Sequence, residues 1–165
     1  MKTSRKDRLI QERIHDPYYE GRKYPDGVVC PGCNAVYQGG HWVWPKGEES
    51  RDIPTGDQNI CPACRRIRDN YPAGLLVLGG EYLKRRKEEI LNLVNRIVRE
   101  EGEKSPLRKV INREEKEGSI TIYLTDDHMA RRLGEAIHRA HKGELEIKYG
   151  EETRFVRVYW NRDIS

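Results

Sequence analysis

Four cysteines arranged as two matched pairs are the residues of this chain best suited to chemistry. Cys30 and Cys33 form the first pair, and Cys61 and Cys64 form the second, with two residues between the members of each. This spacing lets two thiolates of one tight turn occupy adjacent corners of a tetrahedron, and a second turn completes it. Because four sulfur ligands leave no position for water or substrate, the pattern predicts one structural Zn²⁺ ion.

A redox dithiol of the thioredoxin type is the alternative use of such a pair. It needs a single pair at the start of a helix beside a βαβ unit, whereas this chain has two matched pairs among turn residues. The charged N-terminus does not resemble a signal peptide, and the longest uncharged apolar run, 71–80, is too short to cross a bilayer. We expect a cytoplasmic protein without a membrane partner, where thiolates persist as metal ligands.

Basic residues near the cysteines favour RNA as the partner, whereas two nearby tryptophans favour packing over base stacking. Arg65, Arg66 and Arg68 directly follow the second pair, where a rigid zinc turn would hold their guanidinium groups in place. Trp42 and Trp44 alternate along a predicted strand, so their indoles share one face and either shield the zinc or stack on bases. The net charge of +4 permits an RNA partner without requiring one.

A predicted helix further along the chain carries two other groups of interest. Arg131 and Arg132 contact phosphates or simply form a solvated polar face. His138 and His141 have a spacing that could hold a metal if Glu135 converged with them, although surface histidines are commonly unliganded. The sequence contains no P-loop, G-x-G-x-x-G motif or nucleophile elbow. We therefore expect a protein that is not an enzyme.

The composition divides the chain into three parts. Residues 1–27 form a basic, mobile arm, residues 28–70 a zinc-ribbon or treble-clef-like module with a loop over Pro45–Gln58, and residues 71–165 an α+β domain. Charged residues make up 35% of the chain and apolar residues 36%, so the core is small and a metal would help to hold the module together.

The hydrophobic periodicity of the last part predicts seven elements. They are strands over 74–78, 107–113, 120–124, 145–149 and 154–160, and helices over 81–101 and from a cap at Thr125 or Asp126 to Gly143. The order β-α-β-β-α-β-β predicts a ferredoxin-like β-α-β-β-α-β domain with one extra strand, in which two helices pack on one face of an antiparallel sheet.

Three stretches carry a resemblance to known proteins: CPGCNAVYQGGHWVW, CPACRRIRDNYPAGLLVLGGEYL and TDDHMARRLGEAIHRAHKGELEIKY. Over residues 28–160 they resemble an uncharacterised bacterial zinc-ribbon family. More distantly, the cysteine pairs, Arg65 and the Ala130-Arg131-Arg132 helix resemble the N-terminal part of the archaeal and eukaryotic adaptor that exports large ribosomal subunits. That resemblance implies contact with rRNA or the ribosome. It does not imply a role in transport, because the chain lacks the C-terminal domains and the nuclear export segment of the adaptor.

Two functions of different classes follow from these observations. The first is a zinc-binding, non-catalytic protein that associates with ribosomal or other structured RNA, and with ribosomal proteins. The second is a zinc-stabilised adaptor that binds proteins and no nucleic acid. RNA binding weakens steeply as salt rises, whereas a protein adaptor need not show this dependence. A metal-dependent enzyme that uses the helix histidines would require a second metal ion.

Overall fold

The computed structural model describes residues 24–45, 59–150 and 155–163, and these residues form a mixed α+β structure with three helices and two sheets. We call residues 24–45 and 59–70 the cysteine module, and residues 71–150 and 155–163 the sheet domain. Most of the predicted arm, 1–23, and most of the predicted loop, 46–58, lie outside the described residues.

The cysteine module combines three very short strands with one short helix. Strands β1 (Val28–Val29), β2 (Val36–Gln38) and β3 (His41–Val43) form an antiparallel sheet in chain order. Helix α1 (Pro62–Asp69) follows the second cysteine pair. The sequence analysis did not predict this helix, although proline at its first position and asparagine at its end are typical helix boundaries.

The sheet domain contains the predicted succession of strands and helices. It runs β4 (Gly74–Gly79), α2 (Glu81–Lys104), β5 (Val110–Lys116), β6 (Ser119–Leu124), α3 (Asp127–His141), β7 (Glu144–Tyr149) and β8 (Val156–Asn161). The strands form one sheet in the order β5-β6-β4-β8-β7. Asp126 caps α3 by accepting a hydrogen bond from the Met129 amide at 2.9 Å, so of the two predicted caps it is the one used.

The sheet is not purely antiparallel, and this corrects the prediction. Strand β4 pairs antiparallel with β6 but parallel with β8. Strand β7 lies at the edge of the sheet and runs in the same direction as β6, with which it does not pair. Strand β8 pairs antiparallel with β7 and occupies the position between β4 and β7. Because hairpin partners are antiparallel, β8 must run in the direction of β4.

The core lies between one face of this sheet and helices α2 and α3. Alternate residues of β4, β6 and β8 are buried there, as their period of two requires. Gly134 of α3 sits against Val158, and a Cβ at this position would overlap the valine side chain. Glycine therefore allows α3 to approach β8 closely.

Strand β5 begins three residues later than predicted, at Val110. The hydroxyl of Thr125 donates to the carbonyl oxygen of Leu107 at 2.8 Å and accepts from the amide of Lys109 at 2.8 Å. These bonds hold the preceding segment outside the strand, and Leu107 packs against the cysteine module instead. Residues 107–109, which the sequence predicts to be part of the strand, thus connect the sheet domain to the cysteine module.

Candidate metal centre

The first cysteine pair lies in the turn that connects β1 to β2. The amide of Cys30 donates to the carbonyl of Ala35 at 2.8 Å, and the amide of Asn34 donates to the carbonyl of Cys30 at 2.8 Å. Asn34 has a φ of 66°, a left-handed conformation that asparagine tolerates better than most residues. The turn therefore directs both thiols to one side.

The second pair lies in the first turn of α1. Cys61 is the residue that caps this helix, and its Sγ accepts a hydrogen bond from the amide of Cys64 at 3.4 Å. The positive end of a helix dipole stabilises thiolate charge. The cap and the proline at the first helical position thus favour a helix start at which both sulfurs reach the first pair.

The four sulfur atoms form one compact group. The Sγ atoms of Cys30, Cys33, Cys61 and Cys64 all lie within 4.8 Å of one another, and no pair of them is joined in a disulfide. The distance between the sulfurs of Cys33 and Cys61 is 3.8 Å. A tetrahedral ion with metal–sulfur bonds of about 2.3 Å separates its ligands by about 3.8 Å. The arrangement fits a metal ion such as zinc.

Backbone geometry supports this fit at two further points. The amide of Cys61 donates to the sulfur of Cys30 at 3.3 Å, which links the two pairs and offsets negative charge on the sulfur. A Cβ at Gly32 would lie 3.0 Å from the Cys64 sulfur and 3.6 Å from the Cys30 sulfur. Glycine at this position therefore leaves room for the sulfur group to close.

The pKa values of the cysteines differ within the cluster. The pKa of Cys33 falls to about 5, chiefly because the Cys61 thiol donates a hydrogen bond to its sulfur. The same contact raises the pKa of Cys61, and burial raises the pKa of Cys64 to about 12. The neighbouring thiols thus stabilise one thiolate and oppose further ionisation. A bound cation is what would allow four thiolates to coexist.

Trp42 lies inside the cysteine module. It is 6% exposed and makes edge-to-face contacts with Tyr24 and Tyr37 at centroid distances of 6.1 and 5.5 Å. These rings and the cysteines form a small core with Val28, Ala35 and Ala63. Of the two roles considered from the sequence, the geometry favours shielding of the cluster, because base stacking would require the module to open.

Trp44 joins the module to the sheet domain. Its indole Nε1 donates to the carbonyl oxygen of Gly102 in α2 at 2.6 Å, and the ammonium group of Lys109 lies 4.6 Å from the ring centroid. The charge of Lys109 also lowers the pKa of Cys33. The sequence analysis did not single out Lys109, whose contribution depends on a contact between distant segments.

The three arginines of α1 differ in their surroundings. Arg66 is 8% exposed, and its guanidinium donates to the carbonyl oxygen of Tyr71 at 3.3 Å. Arg65 donates to the hydroxyl of Tyr24 at 3.3 Å, and Arg68 forms an exposed ion pair with Asp69 at 2.9 Å. Arg66 therefore contributes to folding, whereas Arg65 and Arg68 lie nearer the surface.

Arg132 is held by an ion-pair network that the sequence analysis missed. Its Nε lies 2.6 Å from a carboxylate oxygen of Glu101, whose other oxygen lies 2.7 Å from Nη1 of Arg108. Glu101 is 5% exposed and lies on the apolar face of α2, four residues after Ile97. A single carboxylate among the apolar residues of the predicted helix was the feature of the sequence that could have indicated this network. Arg131 instead donates to the exposed Tyr149 hydroxyl at 3.0 Å.

The helix histidines do not form a second metal site in the described part of the chain. His141 shares a 2.9 Å hydrogen bond between its Nδ1 and the hydroxyl of Tyr82, and burial lowers its pKa. His138 is exposed. Within residues 24–45, 59–150 and 155–163, the four cysteines are the one group of three or more His, Cys, Asp or Glu side chains placed to share an ion.

Comparisons with other proteins add no assignment to this geometry. The chain matches no family model, no curated protein and no solved structure. Among the described helices, none has both the length and the apolar character that a membrane span requires. The four-cysteine cluster and its surroundings are therefore the evidence for the function of this chain.

Proposed function

We propose that this chain is a zinc-stabilised, non-catalytic protein that associates with structured RNA, with the ribosome as the expected location. The observation that carries the proposal is the four-sulfur cluster at the start of the arginine-bearing helix α1. Zinc is the ion we assign, because a tetrahedral set of four thiolates suits zinc in a reducing cytoplasm. Four protein ligands complete its coordination, so its contribution is structural.

The arrangement of elements is compatible with this proposal. In a zinc ribbon both pairs lie in β-hairpin turns, whereas here the second pair opens a helix, as in the treble-clef-like alternative. We interpret the sheet domain as ferredoxin-like, with β8 as the strand added between β4 and β7. The resemblance to the ribosomal export adaptor supports the RNA partner, and fold alone does not.

The RNA contacts that we propose for the basic residues are fewer than the sequence suggested. Arg65 and Arg68 lie on a helix whose first turn the metal would hold rigid, which reduces the ordering cost of binding. Arg131 is the third contact, on α3. We leave out Arg66 and the tryptophans, which make contacts within the fold, and Arg132, whose guanidinium is half exposed but already paired with Glu101.

The full chain, purified from reducing buffer, tests the proposal. Elemental analysis should find one zinc per chain, and anisotropy of a labelled rRNA fragment should show binding that weakens as salt rises, because each phosphate contact releases counterions. A chelator should abolish the binding, and added zinc should restore it. A metal-free protein, or one whose RNA affinity is zero or independent of salt, would contradict the proposal.

A protein-binding adaptor is the second candidate, and one observation favours it. Ile67 of α1 and Tyr71 just after it are 39% and 45% exposed, which places two large apolar side chains near each other in sequence at the surface. If the adaptor function is the correct one, replacement of both by serine should abolish capture of a protein partner, and the natural chain should show no salt-dependent RNA binding.

A further inference from the structure

The five-stranded sheet has a second face, opposite helices α2 and α3. Side chains alternate along a strand, so the residues between the buried core positions lie on this face. Leu75 and Val77 of β4, Tyr123 of β6 and Tyr159 of β8 are among them, and all four are partly exposed. We call this surface the outer face. Large side chains grouped on a surface commonly mark a binding site.

Three aromatic side chains lie on the outer face: Tyr123, Phe155 and Tyr159. The chain contains one phenylalanine, Phe155. The guanidinium of Arg157 lies 4.7 Å from its ring centroid, which places Phe155 on the same side as Arg157. Tyr123 and Arg157 lie opposite Leu75 on its two sides. Their strands lie on either side of β4, so their backbones are about 10 Å apart.

Charge on the outer face is distributed unevenly between rows of paired residues. One row crosses all five strands through Asn112, Tyr123, Leu75, Arg157 and Lys148, and it contains two cations and no carboxylate. We call it the acid-free row.

The neighbouring rows carry the acids of this face. Glu114 and Glu146 lie at the two ends of the row through Val77, and Glu144 ends the row after it. Glu114 accepts a hydrogen bond from the hydroxyl of Tyr123 at 3.2 Å. Lys148 approaches Glu146 at 3.5 Å, but both side chains are more than half exposed, so the pair is weak. The acid-free row lies at the end of the sheet where β4 begins, on the side joined to α1.

We propose that the outer face binds unpaired bases of RNA, with Tyr123 and Phe155 as stacking surfaces and Arg157 and Lys148 as phosphate contacts. The inference rests on the RNA association proposed above and adds its surface and the single-stranded character of the bound segment. Aromatic rings on an open sheet stack on bases of any sequence, and nearby cations hold the backbone. The two cations of this row, Arg157 and Lys148, supply the charge complementarity that favours RNA over a protein.

The test uses the full zinc-loaded chain and two labelled probes: a hairpin RNA with a long uridine loop, and a fully paired duplex of the same stem. Tyr123→Leu and Phe155→Leu should each weaken hairpin binding about tenfold, and barely affect duplex binding, because each removes one stacked base. Tyr123→Phe keeps the ring and should bind like the natural chain.

A second pair of variants tests the acid-free row by charge alone. Lys148→Gln removes a cation from the row, whereas Lys116→Gln removes an exposed lysine from the same face outside it. Lys148→Gln should weaken hairpin binding and reduce the salt dependence by about one counterion, and Lys116→Gln should do neither. The comparison of the two lysine variants remains informative even if Tyr123→Leu or Phe155→Leu folds poorly.

The outcomes separate this inference from the proposed function. If the natural chain binds the hairpin in a salt-dependent manner and all outer-face variants bind equally well, the inference is wrong and the RNA function stands. If the natural chain binds neither probe, both are wrong. If Tyr123→Leu changes the molar mass in light scattering, the face is an interface between two copies and the inference is overturned.

Discussion

The cysteine module and the sheet domain are stabilised in different ways. The core cluster of the sheet domain has sixteen buried residues beneath strands of six or seven residues. The core cluster of the module has seven, two of them cysteines, and its strands have two or three residues. Strands this short do not persist alone in water. We therefore expect the module to depend on a bound ion, and the sheet domain to depend on its own apolar core.

The junction determines how far the two regions influence each other. Trp44 donates a hydrogen bond to the Gly102 carbonyl, and Leu107 packs against the core of the module. Arg66 donates to the Tyr71 carbonyl across the same boundary, and Lys109 lies over the Trp44 indole. Loss of the ion should therefore disorganise the module first and reach the sheet domain through these few contacts. The variants below change one region at a time.

Cys61→Ser should have the largest effect. A serine hydroxyl is a poor zinc ligand, and structural zinc sites contribute on the order of 10 kcal/mol of binding free energy, so the module should lose its ion and its order. Elemental analysis should find less than one metal per chain, and hydrogen exchange should become rapid in the module but remain slow in α2 and β4. His138→Gln is the control and should keep the metal. If the backbone amides of both regions were equally protected from exchange in Cys61→Ser, the two regions would not differ in their dependence on the ion.

Leu76→Ala should destabilise the other region without affecting the ion. Leu76 is fully buried at the centre of the sheet, and removal of such a side chain costs about 3 kcal/mol through lost burial and the cavity that remains. Denaturant unfolding should show this loss, with metal content unchanged. Leu75→Ala, on the outer face, should cost much less. A loss of metal from Leu76→Ala would mean that the two regions fold as one unit.

Glu101→Gln should weaken the network at the end of α2. It leaves Arg108 and Arg132 without the buried carboxylate that they share, at a cost of about 2 kcal/mol, reduced because both arginines are partly exposed. Thermal unfolding should record the loss. Glu103→Gln, which alters an exposed carboxylate on the last turn of the same helix, should be nearly neutral. Equal effects from the two variants would contradict the assigned network.

Trp44→Phe should loosen the junction. It removes the indole donor to the Gly102 carbonyl but keeps an aromatic ring beside Lys109, so the expected loss is about 1 kcal/mol. Metal release to a chelator should become faster while the stability of the sheet domain changes little. An unchanged release rate would show that the hydrogen bond does not couple the regions.

Asp126→Asn should have the smallest effect and the opposite sign. Burial raises the pKa of Asp126, so its charged form is less favourable in the folded than in the unfolded state. Its favourable contribution is therefore complete below the ordinary carboxyl pKa and is lost as pH rises through the folded pKa. Asparagine keeps the helix cap, so the variant should gain roughly a few tenths of a kcal/mol at neutral pH. This gain should shrink as pH falls, as paired unfolding curves would show.

Local signals were sufficient for most of the sheet domain. The alternation in 120–124 and the helical spacing of Ile90, Val94 and Ile97 predicted their elements because each period is a direct consequence of backbone geometry. The prediction was less accurate at β5, where Thr125 holds Leu107 and Lys109 out of the strand from a distant position. Strand pairing also differed, since a sequence does not show that β8 inserts beside β4.

The sequence by itself determined the identity and pairing of the four cysteines, because the spacing within each turn is a local constraint on where two sulfurs can point. Only the tertiary structure decided which arginines are held by other residues, since the exposed Arg132 is paired with Glu101 and the buried Arg66 donates to the carbonyl oxygen of Tyr71. It also placed Phe155 and Tyr123 on one face. Such contacts join residues far apart in the chain, and their geometry exists only when the core has formed around them.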